Sequence, residues 1–307
     1  MAGRLQHLLR PIPYNVVKCK SRDEFFFPVE KVLTSDLMPN YLTTSENEYS
    51  IVGTIEPGQK KLLYTCSKAY NLVSNAELYL PIEKALHDKG IKFNVVYSHI
   101  AHQKFSADYI LEDSVMYINS PDDTIMPKFQ IQHSYDGGLK LNITFGIFRL
   151  VCSNGLTIPM KGTERLNFNV TSKHTDRMNT VVAGFMKHLK KFMFAWENKA
   201  ITSNFVDMSG TAVKSVKDRI AEVAHATNFP KRLLVDTEAI VERERKMLGY
   251  DIANEWLVYN ALNEVLFSTK SNMHIQAKNM VDEKVIDHML FPKKTKLLKQ
   301  VEEEVEN

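Results

Sequence analysis

The sequence has few of the residues that stabilise small or fibrous folds. Its 307 residues include 3 cysteines, 12 glycines and 11 prolines. Scarce glycine and proline exclude collagen-like and low-complexity chains. The three cysteines, Cys19, Cys66 and Cys152, are far apart and form no Cys-x-x-Cys pair, so the sequence indicates neither a disulfide framework nor a zinc knuckle. We therefore expect a reducing, cytoplasmic environment.

Long apolar runs are also missing. Nowhere do 18 apolar residues follow one another, so no membrane span is expected. The first ten residues lack the apolar core of a signal peptide. The hydrophobic fraction of 44% and the charged fraction of 24% are typical of a globular protein. The net charge of +3 is too small to indicate nucleic-acid binding by itself, so the local distribution of charge has to decide.

The common nucleotide-binding and hydrolase motifs are absent. The sequence contains no Gly-x-x-x-x-Gly-Lys-Ser/Thr loop, no Gly-x-Gly-x-x-Gly, no Gly-x-Ser-x-Gly and no His-Glu-x-x-His. These absences remove the commonest enzyme classes without excluding an enzyme. The sequence leaves the question of an enzyme open and favours a protein that is not one, and we assign no cofactor and no metal.

The hydrophobic pattern changes its period twice along the chain. Apolar residues at helical spacing predict a helix over 75–89. Alternation from 91 to about 170 predicts an antiparallel sheet, with a hairpin whose type I′ turn lies at Asp136-Gly137-Gly138. Helical spacing returns after about Lys173. The pattern predicts an α+β fold: a preceding helix, a central antiparallel β-meander and a helical C-terminal half.

Three segments follow from this pattern. Residues 1–60 are expected to be irregular, residues 61–200 to form an α+β core with the sheet and a long basic helix, and residues 201–307 to be helical.

The long helix after the sheet carries three lysines on one face. Lys187, Lys190 and Lys191 have the spacing i, i+3 and i+4, and the opposite stripe is apolar. Such a basic ridge on a docked helix is suited to contacting the phosphates of a nucleic acid. A simple solvated lysine face is the alternative interpretation.

Arg149 is a charged residue within an apolar strand. A buried charge needs a partner, and Asp136 in the hairpin is the candidate. One interpretation is a structural ion pair followed by a turn at Asn154-Gly155. The other is an anion pocket formed by Arg149 and the amides of that turn.

Two weaker candidate sites contain histidine. His99 and His102 form a His-x-x-His spacing, for which His133 or Asp136 is the candidate third metal ligand. At a strand end such side chains point apart, so we assign no metal. Cys152 with His133 is a candidate thiolate pair, but nothing in the sequence lowers the pKa of the thiol.

Three segments carry a family resemblance. They are His133-Ser-x-Asp136-Gly137, Arg149-Leu-Val-Cys152-Ser-Asn154-Gly155 and the stretch from Asn254 to Glu264. Over roughly residues 60–270 the chain resembles a phage/plasmid-like protein family of unknown function. The resemblance implies a phage or mobile-element origin and the cytoplasm of a host cell.

The predicted architecture also resembles that of phage single-strand annealing proteins of the RecT and Red-beta kind. This resemblance implies an oligomer that holds single-stranded DNA in a basic groove, at the level of fold alone. We expect DNA contacts at six residues: Arg149, Asn154, Arg177, Lys187, Lys190 and Lys191. Tyr97 or Tyr109 is a candidate for stacking on bases, and a place in the core is the alternative for both.

Two alternatives remain at this stage. One is an enzyme or small-ligand binder whose pocket is formed by His133, Asp136, Arg149, Cys152 and Asn154. The other is a phage accessory protein that binds a host protein.

Overall fold

The computed structural model describes residues 16–37, 48–56, 58–119, 121–149, 170–172, 178–199, 202–268, 271, 273 and 275–290. Its strands are β1 (Val17–Lys18), β2 (Val29–Leu33), β3 (Glu48–Glu56), β4 (Gln59–Ser67), β5 (Phe93–Ile100), β6 (Lys104–Leu111), β7 (Met116–Tyr117), β8 (Thr124–Ser134), β9 (Leu141–Arg149) and β10 (Val170–Ser172). Its helices are α1 (Arg22–Phe25), α2 (Thr34–Leu37), α3 (Asn75–Asp88), α4 (Met178–Glu197), α5 (Ser203–Gly210), α6 (Val216–Thr227), α7 (Thr237–Met247), α8 (Glu255–Phe267) and α9 (Ile275–Leu290).

The strands form two antiparallel sheets. The larger has the order β1-β5-β6-β8-β9-β10, with β7 paired to β8. Its centre is a meander of sequential strands, followed in the chain by the helices from α4 onward. The α+β fold class is confirmed, including the helix α3 that precedes the meander.

The smaller sheet corrects the expectation for the N-terminal segment. Strands β2, β3 and β4 pair in that order. Two of these strands lie within residues 1–60, where we expected irregular structure. The strand β2 has only five residues, and its charged residues Glu30 and Lys31 are adjacent, so it gives no alternation of apolar and polar residues. The boundaries of the three predicted segments stay a prediction.

The hairpin between β8 and β9 forms as predicted, but its turn is different. The strands are joined by residues 135–140 rather than by two residues, and of Asp136 and Gly137 only the glycine has positive φ, at 67°. Asp136 instead accepts a 2.8 Å hydrogen bond from the amide of Gly138. The type I′ geometry occurs in the preceding hairpin, where Ala101 and His102 have φ of 55° and 61°.

Helices α3 and α4 cover one face of the larger sheet. Ser74 caps α3 in a capping box with Glu77, and Tyr79 of this helix reaches the carbonyl of Ile131. Pro81 lies inside α3. The Phe185 ring of α4 lies 4.9 Å from that of Phe129. The apolar stripes of both helices therefore form the main core with the sheet.

The opposite face of the sheet is polar. Lys128 Nζ lies 2.7 Å from Asp108 Oδ1, and Gln130 donates a 2.8 Å hydrogen bond to the same oxygen. Both Lys128 and Gln130 are nevertheless buried. Burial on both faces explains why β8 shows little alternation of exposure along its length.

Candidate nucleic-acid interface

The lysines of α4 point away from the core. Lys187 and Lys190 are exposed and Lys191 is partly exposed. At 100° per residue the three side chains span an arc of about 100°. On the opposite side, Val181, Phe185, Leu189, Phe192 and Trp196 are buried. The helix therefore presents a basic face that is held in place by its own apolar face, as the sequence predicted.

The lysines of the basic face have no acidic neighbours among the described residues. Among the described residues, no carboxylate lies within 4.0 Å of the ammonium groups of Lys187, Lys190 or Lys191. Elsewhere in the described ranges, lysines such as Lys84 and Lys92 are paired with aspartates. Three cations with no carboxylate partner in the described part of the chain form an attractive site for a polyanion.

Arg149 does not belong to this surface. Its side chain is fully buried at the end of β9, where Nε lies 2.6 Å from Asp123 Oδ1 and Nη1 lies 2.7 Å from Glu244 Oε2. The predicted role as a DNA contact is wrong for Arg149, because a buried guanidinium cannot reach a phosphate. The predicted ion pair is present, but the partners of Arg149 are Asp123 and Glu244 rather than Asp136, and the predicted turn at Asn154-Gly155 lies outside the described residues.

Asp123 organises a polar cluster that sequence reasoning missed. Besides the two bonds from Arg149, its carboxylate accepts hydrogen bonds of 2.9 Å from Tyr250 Oη and from Trp256 Nε1. The guanidinium carbon of Arg149 lies 5.2 Å from the centre of the Trp256 ring. These contacts join the sheet to the C-terminal helices. The only sequence signal was the unpaired charge of Arg149 itself.

The three candidate pocket residues that the structure describes do not converge. His133 is buried beside α3, with Nε2 2.6 Å from Asn75 Oδ1. Arg149 pairs in register with Ile125, eight residues from His133 along β8, which corresponds to about 26 Å. Asp136 instead lies 3.8 Å from Lys104. The described residues therefore provide no shared pocket for His133, Asp136 and Arg149.

His99 and His102 pack against each other at the tip of the β5–β6 hairpin. Their ring centres are 3.9 Å apart. Burial lowers the pKa of His99 and lowers that of His102 to about 4. Neither predicted third ligand joins them: Phe105 separates His99 from His133 in register, and Asp136 pairs with Lys104.

Residues 63–284 match the protein family described as "Domain of unknown function (DUF932)". The chain belongs to the DUF932 family. The matched stretch begins in β4, ends in α9 and contains the whole basic face of α4. The expected membership in a family of unknown function is confirmed, whereas the phage origin stays a prediction. Searches of the curated proteins and of the solved structures give no match.

The predicted stacking residues of the DUF932 domain are buried. Tyr97 and Tyr109 are 8% and 0% exposed, and both hydroxyls donate hydrogen bonds to Glu83. The prediction that either ring stacks on bases is wrong, because neither ring face is free.

Three predicted site residues lie outside the described residues: Asn154, Cys152 and Arg177. Their roles stay predictions. Within the described part of the DUF932 chain, the helices lack the combination of length and apolar composition needed to cross a membrane.

Proposed function

We propose that this DUF932 protein binds single-stranded DNA through the basic face of α4, formed by Lys187, Lys190 and Lys191. The observation that carries the proposal is that Lys187 and Lys190 are exposed, Lys191 is partly exposed, and none of the three has a carboxylate partner among the described residues. Their positions span one helical turn, about 6 Å along the axis, which concentrates three charges within reach of neighbouring phosphates.

The packing of α4 supports this assignment. The Phe185 ring stacks on that of Phe145 at 5.9 Å, and the Trp196 indole donates to the carbonyl of Ser114. Such anchors fix the rotation of the helix about its axis. The lysines are therefore presented in one direction, and only their flexible side chains have to be ordered when a polyanion binds.

In the proposed biological role, the protein is a phage or mobile-element annealing factor that acts as a homo-oligomer. The antiparallel meander followed by a long basic helix is the architecture on which this analogy with annealing proteins depends. The role predicts three properties: preference for single strands, acceleration of pairing between complementary strands, and assembly on DNA.

Salt dependence tests the proposal directly. Fluorescence anisotropy of labelled oligo(dT) is measured over a series of salt concentrations, with an unlabelled duplex as competitor. We expect log K to fall linearly with log salt, with a slope of about −2 for three lysine contacts to a single strand. Affinity that stays flat with salt, or that is equal for the duplex, contradicts the proposal.

Annealing and assembly are tested with the same protein. Quenching between complementary labelled strands reports the pairing rate, and light scattering reports the mass of the protein with and without oligonucleotide. We expect faster pairing than without protein and an oligomer on DNA. If single-strand binding occurs without either effect, the annealing role is wrong and the binding role stands.

A further inference from the structure

Three side chains of the types that bind zinc meet where the N-terminal segment joins the larger sheet. They are Cys19, Glu24 and His99. One ligand atom from each, the cysteine sulfur, a carboxylate oxygen and a ring nitrogen, lie within 4.8 Å of one another. His99 Nε2 and Glu24 Oε1 are 3.5 Å apart. In a tetrahedral zinc site the corresponding nitrogen–oxygen separation is about 3.3 Å, from bond lengths near 2.0 Å.

Local backbone contacts bring these residues together. β1 pairs with β5 so that Val17 lies opposite His99, and the amide of Cys19 then donates to the carbonyl of Tyr97 at 2.9 Å. Ser21 caps the following turn and so places Glu24 beside the strand end. The cluster is thus a product of the fold and not of one flexible side chain.

Glu24 presents one oxygen to the cluster and uses the other elsewhere. Its Oε2 accepts a 2.7 Å hydrogen bond from the amide of Lys20. This bond fixes the carboxylate and leaves Oε1 directed towards His99. A ligating carboxylate that is oriented by a second hydrogen bond is the usual arrangement around a bound metal.

His99 supplies the independent observation that a ligand is missing from this cluster. Its side chain is 3% exposed, and Nε2 has no hydrogen-bond partner among the described residues. Such a nitrogen is costly to bury, because it has lost water and its 3.5 Å separation from Glu24 Oε1 is too long for a good hydrogen bond. This nitrogen is the atom that faces Glu24.

We propose that Cys19, Glu24 and His99 bind a divalent cation of the zinc type. A thiolate, a carboxylate and a neutral imidazole balance the charge of the ion, and three protein ligands leave one position for water. Zinc binding would displace the thiol proton and move the imidazole proton from Nε2 to Nδ1. The 3.3 Å contact that His102 N donates to Nδ1 must then open, so the Ala101–His102 turn adjusts on binding.

The site would fasten the N-terminal segment to the family domain. Cys19 and Glu24 precede the matched residues 63–284, whereas His99 lies within them. β1 contributes only two residues to the sheet, so a metal bond would be a major constraint on this segment. This proposal is independent of DNA binding, because the basic face of α4 is not part of the cluster.

Cobalt spectroscopy of the full chain tests the site. Protein freed of metal with a chelator is titrated with Co²⁺, and the sulfur-to-cobalt charge-transfer band is recorded. We expect one equivalent to bind, the band to disappear in Cys19→Ser, and Zn²⁺ to displace the cobalt. Cys66→Ser and Cys152→Ser are matched controls that should keep the band.

The remaining ligands are tested by affinity. Glu24→Gln retains the size of a partly exposed side chain, so it should fold normally and weaken Zn²⁺ binding at least tenfold. His99→Gln should weaken it at least as much, with far-UV circular dichroism as the check on folding. The proposal is overturned if the wild-type chain gives no band, if the band survives Cys19→Ser, or if a control cysteine removes it.

Discussion

Arg149 and Asp123 form a bidentate ion pair inside the protein. Arg149 Nε lies 2.6 Å from Asp123 Oδ1 and Nη2 lies 3.0 Å from Oδ2, and both side chains are fully buried. Glu244 accepts from Nη1 at 2.7 Å. Since Arg149 ends β9 and Glu244 belongs to α7, the contact between Arg149 and Glu244 connects the sheet to the C-terminal helices. We assign the Arg149 side chain the role of holding these two parts of the fold together.

Removing the cation should therefore destabilise the whole fold. Arg149→Met leaves two buried carboxylates without their guanidinium, which costs about 3–5 kcal/mol in the free energy of unfolding. Urea unfolding at neutral pH measures this loss. Lys84→Met is the control: it breaks the exposed pair with Asp88 and should cost less than about 0.5 kcal/mol. A stable Arg149→Met variant would contradict the assigned role.

Asp282 makes the stability of the protein depend on pH. Its carboxyl is fully buried, and desolvation raises its pKa from 3.8 to about 7, against the hydrogen bonds from Asn263 and Tyr259. The folded chain therefore retains a proton that the unfolded chain has lost between these two values. The stabilising contribution is complete below the unfolded pKa and is lost as the pH rises through about 7.

Asp282→Asn isolates this contribution. The free energy of unfolding of the wild type minus that of the variant should fall by about 2 to 3 kcal/mol as the pH rises from about 5 to about 8. Urea unfolding across that range is the measurement, and Asp88→Asn at an exposed position is the control. A difference that is independent of pH, or that grows with pH, would show that this carboxyl is ionised in the folded chain.

The β5–β6 turn contains strain that glycine should relieve. Ala101 has φ of 55°, a left-handed conformation in which its Cβ crowds the backbone. Ala101→Gly removes that crowding, which stabilises the folded chain, but it also gives the unfolded chain more conformational freedom. We expect the first effect to be larger, so that the free energy of unfolding rises by about 0.5–1 kcal/mol. Thermal unfolding should show a higher Tm. Ala85→Gly within α3 should act in the opposite direction and lower the stability by about 1 kcal/mol.

Local patterns predicted the elements on which the candidate interface depends. The stripe from Val181 to Trp196 has helical period, so both the docking of α4 and the outward direction of Lys187 followed from spacing alone. The helix α3 was equally predictable from the sequence, since Leu78, Ile82 and Leu86 share a face. These features are determined by neighbours within a few turns of one helix.

The partners of Arg149 were not predictable in this way. Asp123 is 26 residues away in sequence and Glu244 is 95 residues away. No periodic pattern in the sequence relates positions so far apart. Several carboxylates could have served as the counter-charge of Arg149, and the sequence does not distinguish between them. Cys19 and Glu24 were missed as companions of His99 for the same reason, because the two-residue strand β1 that places them gives no periodic signal.

The most direct test of the central claim compares two triple variants with the same change of charge. Lys187→Ala/Lys190→Ala/Lys191→Ala removes the basic face of α4, and Lys68→Ala/Lys217→Ala/Lys231→Ala removes three exposed lysines elsewhere. Anisotropy of labelled oligo(dT) against salt should show that only the first loses affinity, with a salt slope smaller by about 2. Equal losses in both variants, or wild-type binding by the first, would contradict the account.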